Sequence, residues 1–174
     1  MLGAKPETTR HIVMSVPHSG TRTLQSWLSE NRPWVVPDDN AEIKHWHFSL
    51  HPKYCERYFE LGGARMAYIP LRNPYDVADS WERRYFNASV DKSPQAMIQA
   101  LGMMVECVEK YPDNIEIFKM EDLPVLRGIG PNPENWDRMV ETERSRDLRR
   151  WVLQTTEVEA FYRTYYTAEE LWWL

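Results

Sequence analysis

Three short stretches of this chain hold the residues best suited to chemistry. The first is Val16-Pro17-His18-Ser19-Gly20-Thr21-Arg22-Thr23-Leu24. Gly20 lets the backbone approach an oxyanion closely. Ser19, Thr21 and Thr23 can donate hydroxyl hydrogen bonds, while His18 and Arg22 add positive charge. Between a strand and a helix, such a loop aims backbone N–H groups at one point near the positive end of the helix dipole, an arrangement that binds phosphate. The spacing is not G-x-x-x-x-G-K-[ST], so this is not the usual ATP loop, and the plain alternative is a strand-to-helix turn with a Ser/Thr cap. The second stretch is Tyr68-Ile69-Pro70-Leu71-Arg72-Asn73-Pro74-Tyr75-Asp76-Val77-Ala78-Asp79-Ser80-Trp81, in which Arg72 and Ser80 can hold a second anionic group. The third is Ile43-Lys44-His45-Trp46-His47-Phe48. Imidazole titrates near neutral pH, which suits a general base. On a strand, His45 and His47 would share one face. Adding His51 and Cys55 gives a candidate zinc set, but a strand followed by a helix would have to bend sharply to close a tetrahedron.

The elements that must position these groups follow from periodicity. His11–Val16 is a short apolar run ending at Pro17 and reads as a buried strand. Leu24, Trp27 and Leu28 then recur at helical spacing, so strand, tight loop and helix follow in order. Ile43–Phe48, Met66–Leu71 and Ile115–Phe118 read as three more strands. Tyr54–Leu61 reads as a short helix. Asn73 and Pro74 read as the cap and first residue of another, with Val77, Trp81 and Tyr85 on one face. Ser93-Pro94 opens a helix whose stripe is Met97, Ile98, Leu101, Met104, Val105 and Val108. A long C-terminal helix places Leu148, Trp151, Val152, Thr155, Val158, Phe161, Tyr162 and Tyr165 on one side. Alternating strands and helices predict an α/β domain over residues 1–174, with three αβα layers around a mainly parallel sheet. Ligands in such sheets bind beyond the carboxyl ends of the strands.

The first two stretches together resemble the sulfotransferases that use 3′-phosphoadenylyl sulfate (PAPS). That family has a P-K/R-S-G-T-T-type loop for the 5′-phosphosulfate and an R-N-P-x-D-x-x-x-S segment whose Arg and Ser hold the 3′-phosphate. Both occur here in order, each at a predicted strand-to-helix junction. Phe118-Lys119-Met120-Glu121-Asp122-Leu123 is similar to a later Y-E-D-L segment. The resemblance covers about Ile12 to Leu123. It implies a P-loop-like sulfotransferase fold. It also implies transfer of a sulfuryl group from PAPS to a hydroxyl or amine, with 3′-phosphoadenosine 5′-phosphate (PAP) released. Pro17, His18, Ser19, Gly20, Thr21, Arg22, Thr23, Arg72 and Ser80 would bind the cofactor, and no metal is required. His47 overlays the histidine of the family's K-x-H pair and is the implied base, with His45 and His18 assisting. Two positions depart from the family: His18 stands where it has Lys or Arg, and Met120 replaces an aromatic residue. The rival readings are a P-loop-like nucleotide or metabolite kinase, and a degenerate PAP or PAPS binder without turnover.

Composition narrows the partners. With 174 residues, 43% of them hydrophobic and 27% charged, the chain is long enough for one well-cored domain and is not compositionally disordered. A net charge of −5 argues against general nucleic-acid binding, though a local positive field can still hold a small anion. No apolar run approaches the roughly 20 residues that span a bilayer. The segment MLGAKPETTR has no apolar signal-peptide core. Two cysteines, Cys55 and Cys107, form no disulfide framework. A cytoplasmic enzyme acting on a small-molecule or glycan acceptor is therefore expected, with acceptor choice in the variable loops 32–40 and 126–136.

Overall fold

The computed structural model describes residues 9–35, 44–48, 53–61, 64–74, 76–77, 80, 94–123, 156–168 and 170. Four parallel strands form one sheet: β1 (Arg10–Ser15), β2 (His45–His47), β3 (Arg65–Leu71) and β4 (Ile115–Lys119), in the order β2-β1-β3-β4. The expected strands are all present, within two residues at either end. Helices α1 (Thr21–Asn31), α2 (Tyr54–Glu60), α3 (Pro94–Lys110) and α4 (Thr156–Tyr165) alternate with them. The chain is thus of the α/β class. Pro74, Asp76, Val77 and Ser80 are helical after β3, and the Val77 N–H donates to the Asn73 carbonyl at 3.2 Å, as expected of a helix entered at Asn73-Pro74. The chain adds β2 on one side of β1 and β3 on the other. The direction of winding therefore changes between β1 and β3, a place where open α/β sheets leave a crevice.

Alternation along the strands divides the core into two clusters. Ile12, Met14 and Val16 join Ala67, Ile69 and Leu71 in one, with Met97, Leu101 and Met104 of α3 and Val158 and Tyr162 of α4. Val13 and Tyr68 join Leu24 and Leu28 of α1 and Met120 in the other. Neighbouring strand residues point to opposite faces, so each cluster covers its own side of the sheet. The stripe on α3 lies where periodicity places it, with Met97, Leu101, Met104 and Val105 buried and Ile98 and Val108 partly so. Trp27 is half-buried against Phe118, with ring centroids 5.4 Å apart, whereas Trp34 is 70% exposed and packs into no core.

Two expectations are corrected. Tyr165 is exposed, and Tyr166 is buried in its place: Val158, Tyr162 and Tyr166 follow at four-residue spacing, and the Tyr166 N–H still donates to the Tyr162 carbonyl at 2.9 Å, so Tyr166 stays on the buried face of α4. Cys55 and Cys107 are joined in a disulfide between α2 and α3, their Cα atoms 6.4 Å apart. Both lie in the apolar cluster over the same sheet face, so packing alone brings the thiols together. Among the described residues, no helix is long and apolar enough to cross a membrane. Trp81, Tyr85, His51, most of both variable loops and the start of the predicted C-terminal helix, with Leu148, Trp151, Val152 and Thr155, lie outside the described residues.

Candidate functional site

The first loop is shaped by backbone that few residue types tolerate. Gly20 caps α1 with φ 100° and ψ 28°, in the left-handed region that glycine enters without penalty. A Cβ at Gly20 would lie 2.8 Å from the Met120 side chain. That contact is with the terminal methyl of a flexible side chain, which can move, so the left-handed backbone is what calls for glycine. His18 also has positive φ, at 69°, an uncommon conformation for a residue with a side chain and of a kind that collects at ligand sites. No side chain caps the first turn of α1. Its N–H groups lack intrahelical partners by geometry, so they can serve an anion.

The hydroxyls of this loop divide their work. Ser19 is buried and donates to the Val16 carbonyl at 2.7 Å, so it fixes the turn instead of offering its proton to a ligand. The Thr21 hydroxyl lies 2.7 Å from Ser15 Oγ. Thr23 is half-buried, Pro17 is half-buried at the turn, and Arg22 is exposed.

The second stretch comes to the same place. His18 Nδ1 lies 3.0 Å from Ser80 Oγ, across 62 residues of sequence. Arg72, at the carboxyl end of β3, shares a cavity of about 210 Å³ with Ser19, Gly20 and Thr23, which also takes in Asp76, Met120 and Glu121. This is below the roughly 300–1,000 Å³ of a whole-ligand pocket, so it is the size of a subsite. Its charge is mixed. Arg72 Nη2 lies 3.6 Å from the Asp76 carboxylate, one helical turn on. Glu121 accepts the Asn73 N–H at 2.8 Å and the Tyr166 hydroxyl at 2.8 Å. Burial pushes the Glu121 carboxyl above its ordinary pKa, and the two donated hydrogen bonds oppose that shift. Glu121 thereby ties the Arg72-Asn73 junction to β4 and to the end of α4.

His47 stands on the neighbouring strand. Parallel pairing sets Ser15 opposite His47, and Ser15 Oγ lies 2.9 Å from His47 Nδ1. Burial lowers the His47 pKa most, the neighbouring His45 lowers it further, and a hydrogen bond to the Ser15 main chain opposes both. The neutral ring, the form a base needs, therefore survives to lower pH than usual. His45 and His47 share a face, with ring centroids 5.4 Å apart, but His45 is exposed and reaches Gln25 Nε2 at 3.3 Å. Cys55, committed to its disulfide, offers no thiolate to a zinc set.

Compared with protein-family models, curated proteins and solved structures, the chain matches none.

Four residues of the site escaped the sequence reading. Ser15 read only as the end of an apolar strand, although a serine inside such a run is the kind of position that carries a buried hydrogen bond. Asp76 lay inside the recognised segment without a role. Glu121 lay in the third similar segment, where attention fell on Met120. Tyr166 continues the four-residue spacing of Val158 and Tyr162, and that spacing is the signal that could have found it.

Proposed function

We propose that the protein is a sulfotransferase that moves a sulfuryl group from PAPS to a hydroxyl or amine of a small-molecule or glycan acceptor. The observation that carries this reading is the meeting of its two anion-binding stretches, with His18 on Ser80 and Arg72 in one cavity with the loop. They meet at the carboxyl ends of β1 and β3, where the winding of the sheet changes direction. In this reading the loop and the first turn of α1 hold the 5′-phosphosulfate, and Arg72 and Ser80 hold the 3′-phosphate. The acceptor oxygen or nitrogen attacks sulfur, the bond from sulfur to the bridging oxygen breaks, and PAP leaves with the electron pair. His47 takes the acceptor's proton. The three-layer P-loop-like architecture belongs to the same proposal, supported by apolar clusters on both faces of the sheet.

Arg72→Ala is expected to weaken PAP binding by about 1.5–3 kcal/mol, the loss of a charge-assisted hydrogen bond. Competition from Asp76 places the effect toward the lower end. Ser80→Ala should cost about 1 kcal/mol, as for a neutral donor. Adenosine 5′-phosphosulfate, which has no 3′-phosphate, should be nearly insensitive to both changes. Calorimetric titration of each variant with each ligand decides; equal losses for the two ligands would remove the 3′-phosphate assignment.

Activity should survive EDTA, because backbone amides and side-chain cations hold the charge that a kinase hands to Mg²⁺. Loss on chelation with rescue by Mg²⁺ would favour the kinase reading. The reading without turnover draws on the pairing of His18, at the position of the family's Lys or Arg, with Ser80. Transfer of labelled sulfate from PAPS to any acceptor excludes it.

A further inference from the structure

Ser15 is a buried hydroxyl with no exposed surface, at the end of a strand where it follows the buried apolar residues Ile12, Val13 and Met14. It touches two parts of the site that do not touch each other: Thr21 Oγ1 at 2.7 Å and His47 Nδ1 at 2.9 Å. A third neighbour, the Trp46 carbonyl at 3.4 Å, is the poorer acceptor. We propose that Ser15 is a positioning residue that couples Thr21 of the anion loop to the tautomer of His47. The inference rests on the sulfotransferase reading for its catalytic meaning and on geometry alone for the coupling.

Counting protons ties the direction of one hydrogen bond to that of the other. Ser15 has one hydroxyl proton and two neighbours that can each donate or accept. If Ser15 donates to Thr21, its oxygen is left to accept from His47, so the ring proton sits on Nδ1 and the lone pair on Nε2. Nε2 is then the basic nitrogen. The Thr21 hydroxyl, having accepted from Ser15, has its own proton left for an anion in the loop. If Thr21 cannot accept, the Ser15 proton turns to Nδ1 and the ring proton moves to Nε2, which disables the base. The register Ser15↔His47 and the first turn of α1 place these three groups in line before any ligand arrives.

The test is ¹⁵N NMR of the neutral His47 ring in the full chain labelled at histidine, with His47→Gln used to assign the signals. The wild type is expected to carry its proton on Nδ1. Thr21→Val, which removes the acceptor without touching His47, should raise the Nε2–H population and lower kcat about 10–100-fold, the scale seen when a group that orients a histidine is lost. Ser15→Ala should move the tautomer the same way, and adding Thr21→Val to it should have no further effect. A wild-type ring protonated on Nε2, a Thr21→Val ring unchanged from wild type, or additive effects of the two changes would each overturn the coupling. The spectra need no nucleotide. Failure of PAP to perturb the loop amides would sink the cofactor reading separately.

Discussion

His47→Ala is expected to lower kcat by about 10²–10⁴-fold while leaving PAP affinity almost unchanged. A general base acts on the acceptor and not on the nucleotide, so its loss belongs to the chemical step. Thr21, Arg72 and Ser80, the groups assigned to the nucleotide, are separated from His47 by Ser15 or by β1. His45→Ala should cost less, because His45 is exposed and can only help neutralise the leaving oxygen. The pH profile follows from the lowered His47 pKa. The acid limb should fall below the ordinary histidine value of about 6.5, since burial keeps the ring neutral and competent there. The same shift acts on stability. Above about 6.5 neither the folded nor the unfolded His47 is charged and the effect is absent; as pH falls below it, the unfolded chain takes the proton first and stability is lost. His18 acts with the opposite sign, because its protonated form is the useful one, and His18→Lys should remove only the alkaline limb. A His47→Ala enzyme that turns over at the wild-type rate would end the base assignment and send the test to His45.

β1 and β3 were legible because each carries a short apolar run closed by a turn residue, the mark of a central parallel strand buried on both faces, whereas the edge strands β2 and β4 are only partly buried and read from alternation. The anion loop was legible because Gly20 and its hydroxyl neighbours have a strong local signature, and the entry to the helix after β3 because Asn73-Pro74 does. What periodicity cannot show is which residues meet. The choice of His47 over His45 depends on the register that sets His47 beside Ser15, and register is a property of two strands. The carboxylates of the cavity are of the same kind: Asp76 is one turn from Arg72, but Glu121 arrives from the turn after β4, 49 residues further along the sequence than Arg72. Nor does a count of loop hydroxyls show how each is used: Ser19 lines the cavity, while its hydroxyl donates to the Val16 carbonyl and braces the turn. Cys55 and Cys107 read as two single cysteines because nothing in their spacing shows that α2 and α3 cover the same face of the sheet.

Replacing both Cys55 and Cys107 with alanine is expected to destabilise the fold by about 4 kcal/mol, the loop-closure entropy that a cross-link over 52 residues removes from the unfolded chain. At this chain length, that corresponds to a melting temperature lower by roughly 8–16 °C. The closed loop contains β3 and both Arg72 and Ser80, so the second anion-binding stretch lies wholly within the tethered segment. His47 and the first loop lie outside it. The effect should therefore appear as a loss of global stability. At temperatures where both forms are folded, the rate of the chemical step should be unchanged. Reductant should lower the melting temperature of the wild type toward that of the double variant and leave the variant itself unaffected. Thiol titration of the protein unfolded without reductant should find no free sulfhydryl. Two titratable thiols, with one melting temperature for all three samples, would mean that the pair is not bonded in solution. That outcome would return the cysteines to the reduced state expected in a cytosol. A closed disulfide instead points to an oxidising compartment, where such bonds persist, and the expectation of a cytoplasmic protein would then have to be given up.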